Sequence, residues 1–259
     1  LMIEEDYYQF INQIHSKLGI NLHLYKEAQM RRRITTLRNK RGFTSFKSYY
    51  NELITNGELL NEFIDRLTIN VSEFYRNPKR WEVLKNIIFP LLLKNNQSLS
   101  IWSAACSTGE EAYSLAILLR EYFPNIRVRI LATDIDENVL QRAKDGIYPK
   151  QALKDLPQPL VKKYFTEKNQ LFYIDPSLKK DITYKKHNLL ADPYPKNMDF
   201  IVCRNVVIYF TDEAKDMIYK GFGKSLKPNG VLFVGSTEQI FNPDQYNFKL
   251  IDTFFYQKI

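Results

Sequence analysis

Residues 99–122, LSIWSAACSTGEEAYSLAILLREY, decide how the chain is read. LSIWSAA (99–105) is an apolar run of strand length, and apolar positions recur at helix spacing from about Glu110 to Tyr122. A strand, a tight turn and a helix in that order put the turn where nucleotide-binding α/β proteins carry a glycine-rich phosphate loop. Here the turn holds a single glycine, Gly109, followed at once by two carboxylates, Glu110 and Glu111. Such a helix start repels a pyrophosphate and suits a ligand with positive charge, an ammonium or a sulfonium. The plainer alternative is that acidic residues favour the first turn of any helix through its macrodipole.

Outward from this stretch, VRILAT (128–133), DITYKKHNL (181–189), DFIVCRN (199–205) and GVLFVGS (230–236) read as further strands. Helices are expected near ENVLQRAK (137–144) and over 213–226, so the alternation predicts an α/β fold with a parallel sheet covered by helices. The closing FKLIDTFFYQKI (248–259) holds two β runs with only a turn between them, and one is expected to run antiparallel. Between Gly146 and Asp181 the rhythm lapses into prolines and a β-like QLFYI (170–174), which reads as an inserted subdomain. The first ninety or so residues are helical in pattern. Phe10 and Ile14, Met30 and Ile34, Phe46 and Tyr49, and Leu59 and Phe63 mark four amphipathic faces, with Gly19, Gly42 and Gly57 near the breaks where helices stop. The expected organisation is a small all-helical domain over 1–77 and a Rossmann-like domain over 78–259, with the insert at about 147–181.

Of the 259 residues, 44% are apolar and 25% charged, the proportions of an ordinary soluble protein. The richest apolar run, IIFPLLL (87–93), is too short to cross a bilayer and is interrupted by Pro90, so no membrane insertion is expected. No basic-then-apolar secretory pattern stands at the start. Cys106 and Cys203, without a CxxC, fit a reducing cytoplasm. Three scattered histidines (His15, His23, His187) offer no ligand spacing, and no metal is expected. The net charge of +8 points to an acidic partner.

Ligands of open α/β sheets bind beyond the carboxyl ends of the strands. Asp134 ends the second strand, where a Rossmann-like fold places its ribose-binding acid, and Asp136 is set to cap the next helix. After the third strand, Asp192 before Pro193 has turn chemistry, while Asn188 either bonds a base edge or its own backbone. Arg204 and Asn205 follow the fourth strand, and Tyr209 lies in the apolar run beyond. An ion-pair role for Arg204 and a core role for Tyr209 are the plainer readings.

Taken together, SAACSTGEE (103–111), ATDIDENVL (132–140), NLL (188–190), CRNVVIYF (203–210) and LKPNGVLFVGSTE (226–238) resemble the motifs of the CheR chemotaxis-receptor methyltransferases, in a Bacillus-like form. TINVSEFYRN (68–77) matches the same family. The resemblance implies a Rossmann-like methyltransferase domain with a helical N-terminal domain and an inserted β-subdomain. It implies S-adenosylmethionine as cofactor, S-adenosylhomocysteine as product, and methyl-ester formation on glutamates of the cytoplasmic helices of methyl-accepting chemotaxis receptors. By motif it carries Asn70, Ser72, Arg76, Glu111, Asp134, Asn188, Leu189, Arg204 and Asn205 to the cofactor, and Arg76 and Tyr209 to the alignment of the reactants. Two positions depart from the commoner pattern. Ser72 stands where Thr is frequent and keeps the hydroxyl; Ala112 stands where Pro is frequent, and Pro near a helix start is replaceable.

A glutamate side chain, with a reference pKa of about 4.3, is ionised at neutral pH and needs no general base. The implied step is an in-line displacement at a methyl carbon, carboxylate attacking and thioether leaving. Opposite charges are neutralised along it, so alignment and exclusion of water matter more than added charge. From Lys26 to Arg41 stand seven basic residues and one acid. Lys26, Arg31, Arg32, Arg33 and Arg38 are the expected contacts to acidic receptor helices, a solvated face being the alternative. A cytoplasmic monomer is expected, without a nucleic-acid partner. A nucleic-acid methyltransferase would suit the basic charge, yet no NPPY-like motif or RNA-binding module is present. A non-catalytic cofactor-sensing or receptor-binding module is the rival of a different class.

Overall fold

The computed structural model describes residues 2–68 and 72–259. Four helices open it: α1 (Met2–Leu18), α2 (Glu27–Lys40), α3 (Phe46–Leu53) and α4 (Gly57–Leu67). Gly19 and Gly42 take positive φ just after α1 and α2, the stop signals expected of them. Gly57 differs: it is the first residue of α4, and Asn56 before it accepts a hydrogen bond from the Leu59 amide, so this glycine follows a start signal. The four amphipathic faces meet inside the bundle, where Phe10, Ile14, Ile34, Phe46, Tyr49 and Phe63 are each at most 1% exposed.

A broken helix leads on, as α5 (Pro78–Val83), a π turn (Leu84–Ile88) and α6 (Phe89–Leu93). The wide turn lies just ahead of Pro90, whose ring and missing N–H bar an ordinary helical bond. Then come β1 (Ser98–Ala104), α7 (Glu110–Tyr122), β2 (Arg127–Asp134) and α8 (Glu137–Asp145). The insert follows with β3 (Ile147–Pro149), α9 (Gln158–Tyr164), β4 (Phe165–Lys168), β5 (Leu171–Ile174) and α10 (Pro176–Lys179). The chain closes with β6 (Ile182–Lys186), β7 (Met198–Cys203), α11 (Asp212–Ser225), β8 (Leu226–Val234), β9 (Phe248–Asp252) and β10 (Phe255–Lys258).

Seven strands form one sheet in the order β6-β2-β1-β7-β8-β10-β9, and β3, β5 and β4 form a small antiparallel sheet within the insert. The neighbours from β6 to β8 pair in parallel. β10 runs antiparallel to both β8 and β9, as the short turn before it requires. Both faces of the large sheet are covered, which is why its strands read as unbroken apolar runs. Along β7, Phe200 and Val202 join the core shared with α7 and the insert. Ile201 and Cys203 join the core shared with α11 and the N-terminal helices. β8 repeats the alternation with Val231 and Phe233 against Leu232 and Val234.

From β1 the chain moves outward to β2 and β6, then returns across β1 to start β7. The order reverses there, so the loops after β1, β2 and β7 diverge around a crevice at their carboxyl ends.

Candidate active site

A cleft occupies that crevice. Ser72 and Arg76 reach it from the segment after α4, Glu111 from the start of α7, and Asp134 from the end of β2. Asn188 and Leu189 border it beyond β6, and Arg204, Asn205 and Tyr209 come from the loop after β7. Asn70 lies outside the described residues.

The turn after β1 explains its one glycine. Gly109 has φ 92°, and a Cβ there would stand 2.8 Å from Cβ of Ala143 on α8. The two carboxylates that follow part company. Glu110 folds back onto Thr108, whose hydroxyl donates to it at 2.7 Å, and is also bonded by Ser72. Glu111 turns into the cleft, accepts from the Ser103 hydroxyl at 2.9 Å and faces Nη1 of Arg204 at 3.7 Å. Burial pushes both carboxyls above the usual range, opposed at Glu111 chiefly by the Arg204 charge. Burial likewise draws the Arg204 guanidinium down. Arg204 donates through Nη2 to the Arg76 carbonyl at 2.9 Å and lies 4.7 Å over the Phe233 ring.

Asp134 accepts the Ser107 amide on Oδ2 at 2.9 Å and the Asp136 amide on Oδ1 at 3.1 Å. Burial pushes its pKa up to about 6 in spite of those bonds. Asp136 caps α8 by accepting from the Asn138 amide, as its position implied. Of the two roles open to Asn188, the structure shows the backbone one. Its side chain accepts from the Leu190 amide at 3.0 Å and donates to the Gly19 carbonyl at 3.2 Å, while Asp192 accepts the Asn188 amide.

Tyr209 sits in a 3-10 turn (Val207–Tyr209), half-buried, where the cleft meets a second groove lined by Arg32, Arg33, Lys40 and Arg66. The Arg33 guanidinium lies 5.4 Å over its ring, and the Tyr209 carbonyl accepts the Lys26 amide at 2.9 Å. The basic helix therefore divides. Arg32 and Arg33 line the groove, whereas Arg31 and Arg38 lie over the rings of Tyr7 and Phe46 at 5.0 and 4.4 Å. Lys26 opens into a separate depression beside Lys215. Two residues without a role in the sequence reading also stand here. Arg66 enters the groove from α4, and Glu238 is received by backbone amides of the Tyr209 loop.

Residues 5–68 match the model of the CheR methyltransferase all-alpha domain, and residues 70–255 that of the CheR methyltransferase SAM-binding domain. The chain belongs to the CheR methyltransferase family. It is 43% identical over 257 residues to a chemotaxis protein methyltransferase of Listeria innocua, covering 99% of this chain and 98% of that one. Identity to the chemotaxis protein methyltransferase of Borreliella burgdorferi is 36% over 246 residues, covering 90% and 87%. This CheR chain is thus an S-adenosylmethionine-dependent methyltransferase of chemotaxis. Among its described residues no cluster of His, Cys, Asp and Glu is arranged to hold a metal ion, and no helix is long and apolar enough to cross a membrane.

Proposed function

We propose that this CheR chain, a cytoplasmic monomer, methylates glutamate side chains on the cytoplasmic helices of chemotaxis receptors, forming methyl esters. The observation that carries the reading is the meeting of the cleft holding Glu111 and Asp134 and a basic groove at one residue, Tyr209. The cleft's donor set fits S-adenosylmethionine. The partly buried Glu111 carboxylate at a helix start suits the cationic amino-acid end, and Asp134 at the end of β2 suits the ribose hydroxyls. Leu189 and the backbone braced by Asn188 border the base, and Ser72 and Asn205 complete the walls. When bound, the cofactor supplies an electrophilic methyl group on a sulfonium.

Outside the cleft, Arg32, Arg33, Lys40 and Arg66 present four cations to an acidic helix and steer it to the mouth. Arg76, close enough to Glu111 and Arg204 to bias their charges, directs the incoming carboxylate together with the Tyr209 hydroxyl. No residue is needed as a base, because the nucleophile arrives ionised.

The test is transfer from labelled S-adenosylmethionine to receptor cytoplasmic fragments, with nucleic acid and unrelated protein alongside. Label on the receptor alone, released by mild alkali as methanol, is expected. Alkali-stable label, or label on nucleic acid, overturns the reading. The groove makes its own prediction: Arg32→Glu with Arg66→Glu raises the receptor KM by roughly tenfold or more and leaves cofactor affinity unchanged. Arg38→Glu, on the far side of α2 against Phe46, has a smaller effect. Unchanged receptor kinetics in the double variant would make this a solvated face.

The raised pKa of Asp134 predicts a pH dependence. A carboxylate that receives ribose hydroxyls binds them best when ionised. Affinity for S-adenosylhomocysteine is therefore expected to be level above about pH 7 and to fall by up to about tenfold per pH unit below 6. The stability of the empty protein slopes the other way. Asp134 holds its proton more tightly folded than unfolded (about 6 against 3.8), so its stabilising contribution is full below pH 3.8 and lost as pH rises through 6. Calorimetric titration between pH 5 and 8 reads the first slope, and Asp134→Asn should flatten it. A flat profile in the unaltered protein would remove Asp134 from the cofactor.

A further inference from the structure

The loop between β7 and α11 carries Arg204, Asn205 and Tyr209 of the cleft lining, and an antiparallel bridge of Phe210 to Tyr25 holds its far end. Asn205 takes φ 62°, a left-handed conformation. A left-handed turn can aim successive main-chain amides at one point and form a cradle for an anion. Glu238, only 4% exposed, fills that cradle. Its Oε2 accepts from the Asn205 amide at 2.7 Å, and its Oε1 from the Val206 and Val207 amides at 2.7 Å each. The Gly235 amide adds a fourth bond at 2.8 Å. Four backbone amides thus receive the carboxylate that burial strips of water, and the Arg204 charge is near enough to be felt.

A second observation comes from the glycine three residues earlier. A Cβ built on Gly235 would stand 2.4 Å from Oε2 of Glu238 and 2.9 Å from the Asn205 nitrogen. The absence of a side chain at 235 is what lets the carboxylate and the loop close on each other. We infer that Glu238 is a positioning residue for methyl transfer: received by four main-chain amides, its carboxylate fixes the loop that sets Arg204, Asn205 and Tyr209 at the cleft. This rests on reading that cleft as the site of transfer. Glu238 does not line the cleft; it acts through the shape of residues 204–209. Displacing a reacting or orienting group by about 1 Å lowers turnover on the order of 100-fold.

The experiment pairs Glu238→Gln with Gly235→Ala. Glutamine keeps the size but turns an NH2 group toward amides that need an acceptor, and alanine pushes the intact carboxylate away. Both variants are expected to lower kcat, counted per site that binds S-adenosylhomocysteine, by roughly tenfold to 100-fold, with acceptor KM within about threefold of the parent. Amides 205–207 should exchange hydrogen faster in both, with protection in β1 and β2 unchanged. A merely structural role would lower the number of binding-competent sites and leave kcat per site alone. Unchanged kcat per site in both variants, or unaltered exchange at 205–207, overturns the inference; if Glu238→Gln does not fold, Gly235→Ala alone decides. Should the unaltered protein transfer no methyl group to receptor, the proposed function fails instead, and the exchange result separates that outcome from this one.

Discussion

Arg204→Met is expected to destabilise the folded protein by about 3–5 kcal/mol, more than any other single substitution in the cleft. The side chains of Arg204 and Glu111 are 6% and 14% exposed, and they face each other at 3.7 Å. Burial weakens the charge on both, raising the carboxyl and lowering the guanidinium. The pair is thus a compromise: each ion tolerates the interior because the other is there. Methionine keeps much of the packing over Phe233 but leaves Glu111 without its ion-pair partner and the Arg76 carbonyl with one donor fewer, the Trp81 indole still bonding it. Adding Glu111→Leu to Arg204→Met should restore most of the loss, because removing both charges removes the desolvation penalty along with the attraction. Urea unfolding of the four proteins in the cycle measures this. Strictly additive losses would show that the two side chains are not coupled.

The same cycle separates stability from binding. The double variant, stable again, has lost the carboxylate proposed to meet the cofactor's cationic end. Its affinity for S-adenosylhomocysteine is expected to fall by about 100-fold or more, the scale of a buried charge-assisted bond. On that result the pair is explained by the ligand and not by net stability.

What the sequence makes legible follows from which forces act locally. The sheet was readable because both its faces are buried and its strands are continuous apolar runs, and the antiparallel β10 because no crossover fits the turn before it. Asp136 was readable as a cap because capping is decided within three residues. The residues that escaped notice have distant partners. Glu238 lies 31 to 33 positions from the amides of the Tyr209 loop that it receives, and Arg66 joins α2 only because α4 packs beside it. The basic helix shows the limit most plainly. Charge alone grouped Arg31 and Arg38 with Arg32 and Arg33 as receptor contacts, whereas the packing of α1 and α3 puts Tyr7 and Phe46 beneath them.

Tyr209→Phe is expected to lower turnover by on the order of 100-fold or more while cofactor affinity and receptor KM stay within about threefold. The substitution removes one oxygen. The ring under the Arg33 guanidinium stays, and so does the carbonyl that accepts the Lys26 amide, so groove and cleft keep their shape. What is lost is a hydroxyl at the junction of the two, where, under the proposed function, a carboxylate arriving along the basic groove is turned to attack in line. An interaction that aligns the reacting carboxylate is felt in kcat and not in ground-state binding. Tyr209→Leu supplies the contrast. It removes the ring as well, releases Arg33 from its stacking and widens the junction, so receptor KM should rise together with the fall in kcat. Single-turnover kinetics with receptor fragments, beside calorimetry with S-adenosylhomocysteine, resolve the two variants. Phenylalanine that lowers cofactor affinity as much as turnover would place the hydroxyl on the cofactor and leave Arg76 as the group that directs the acceptor.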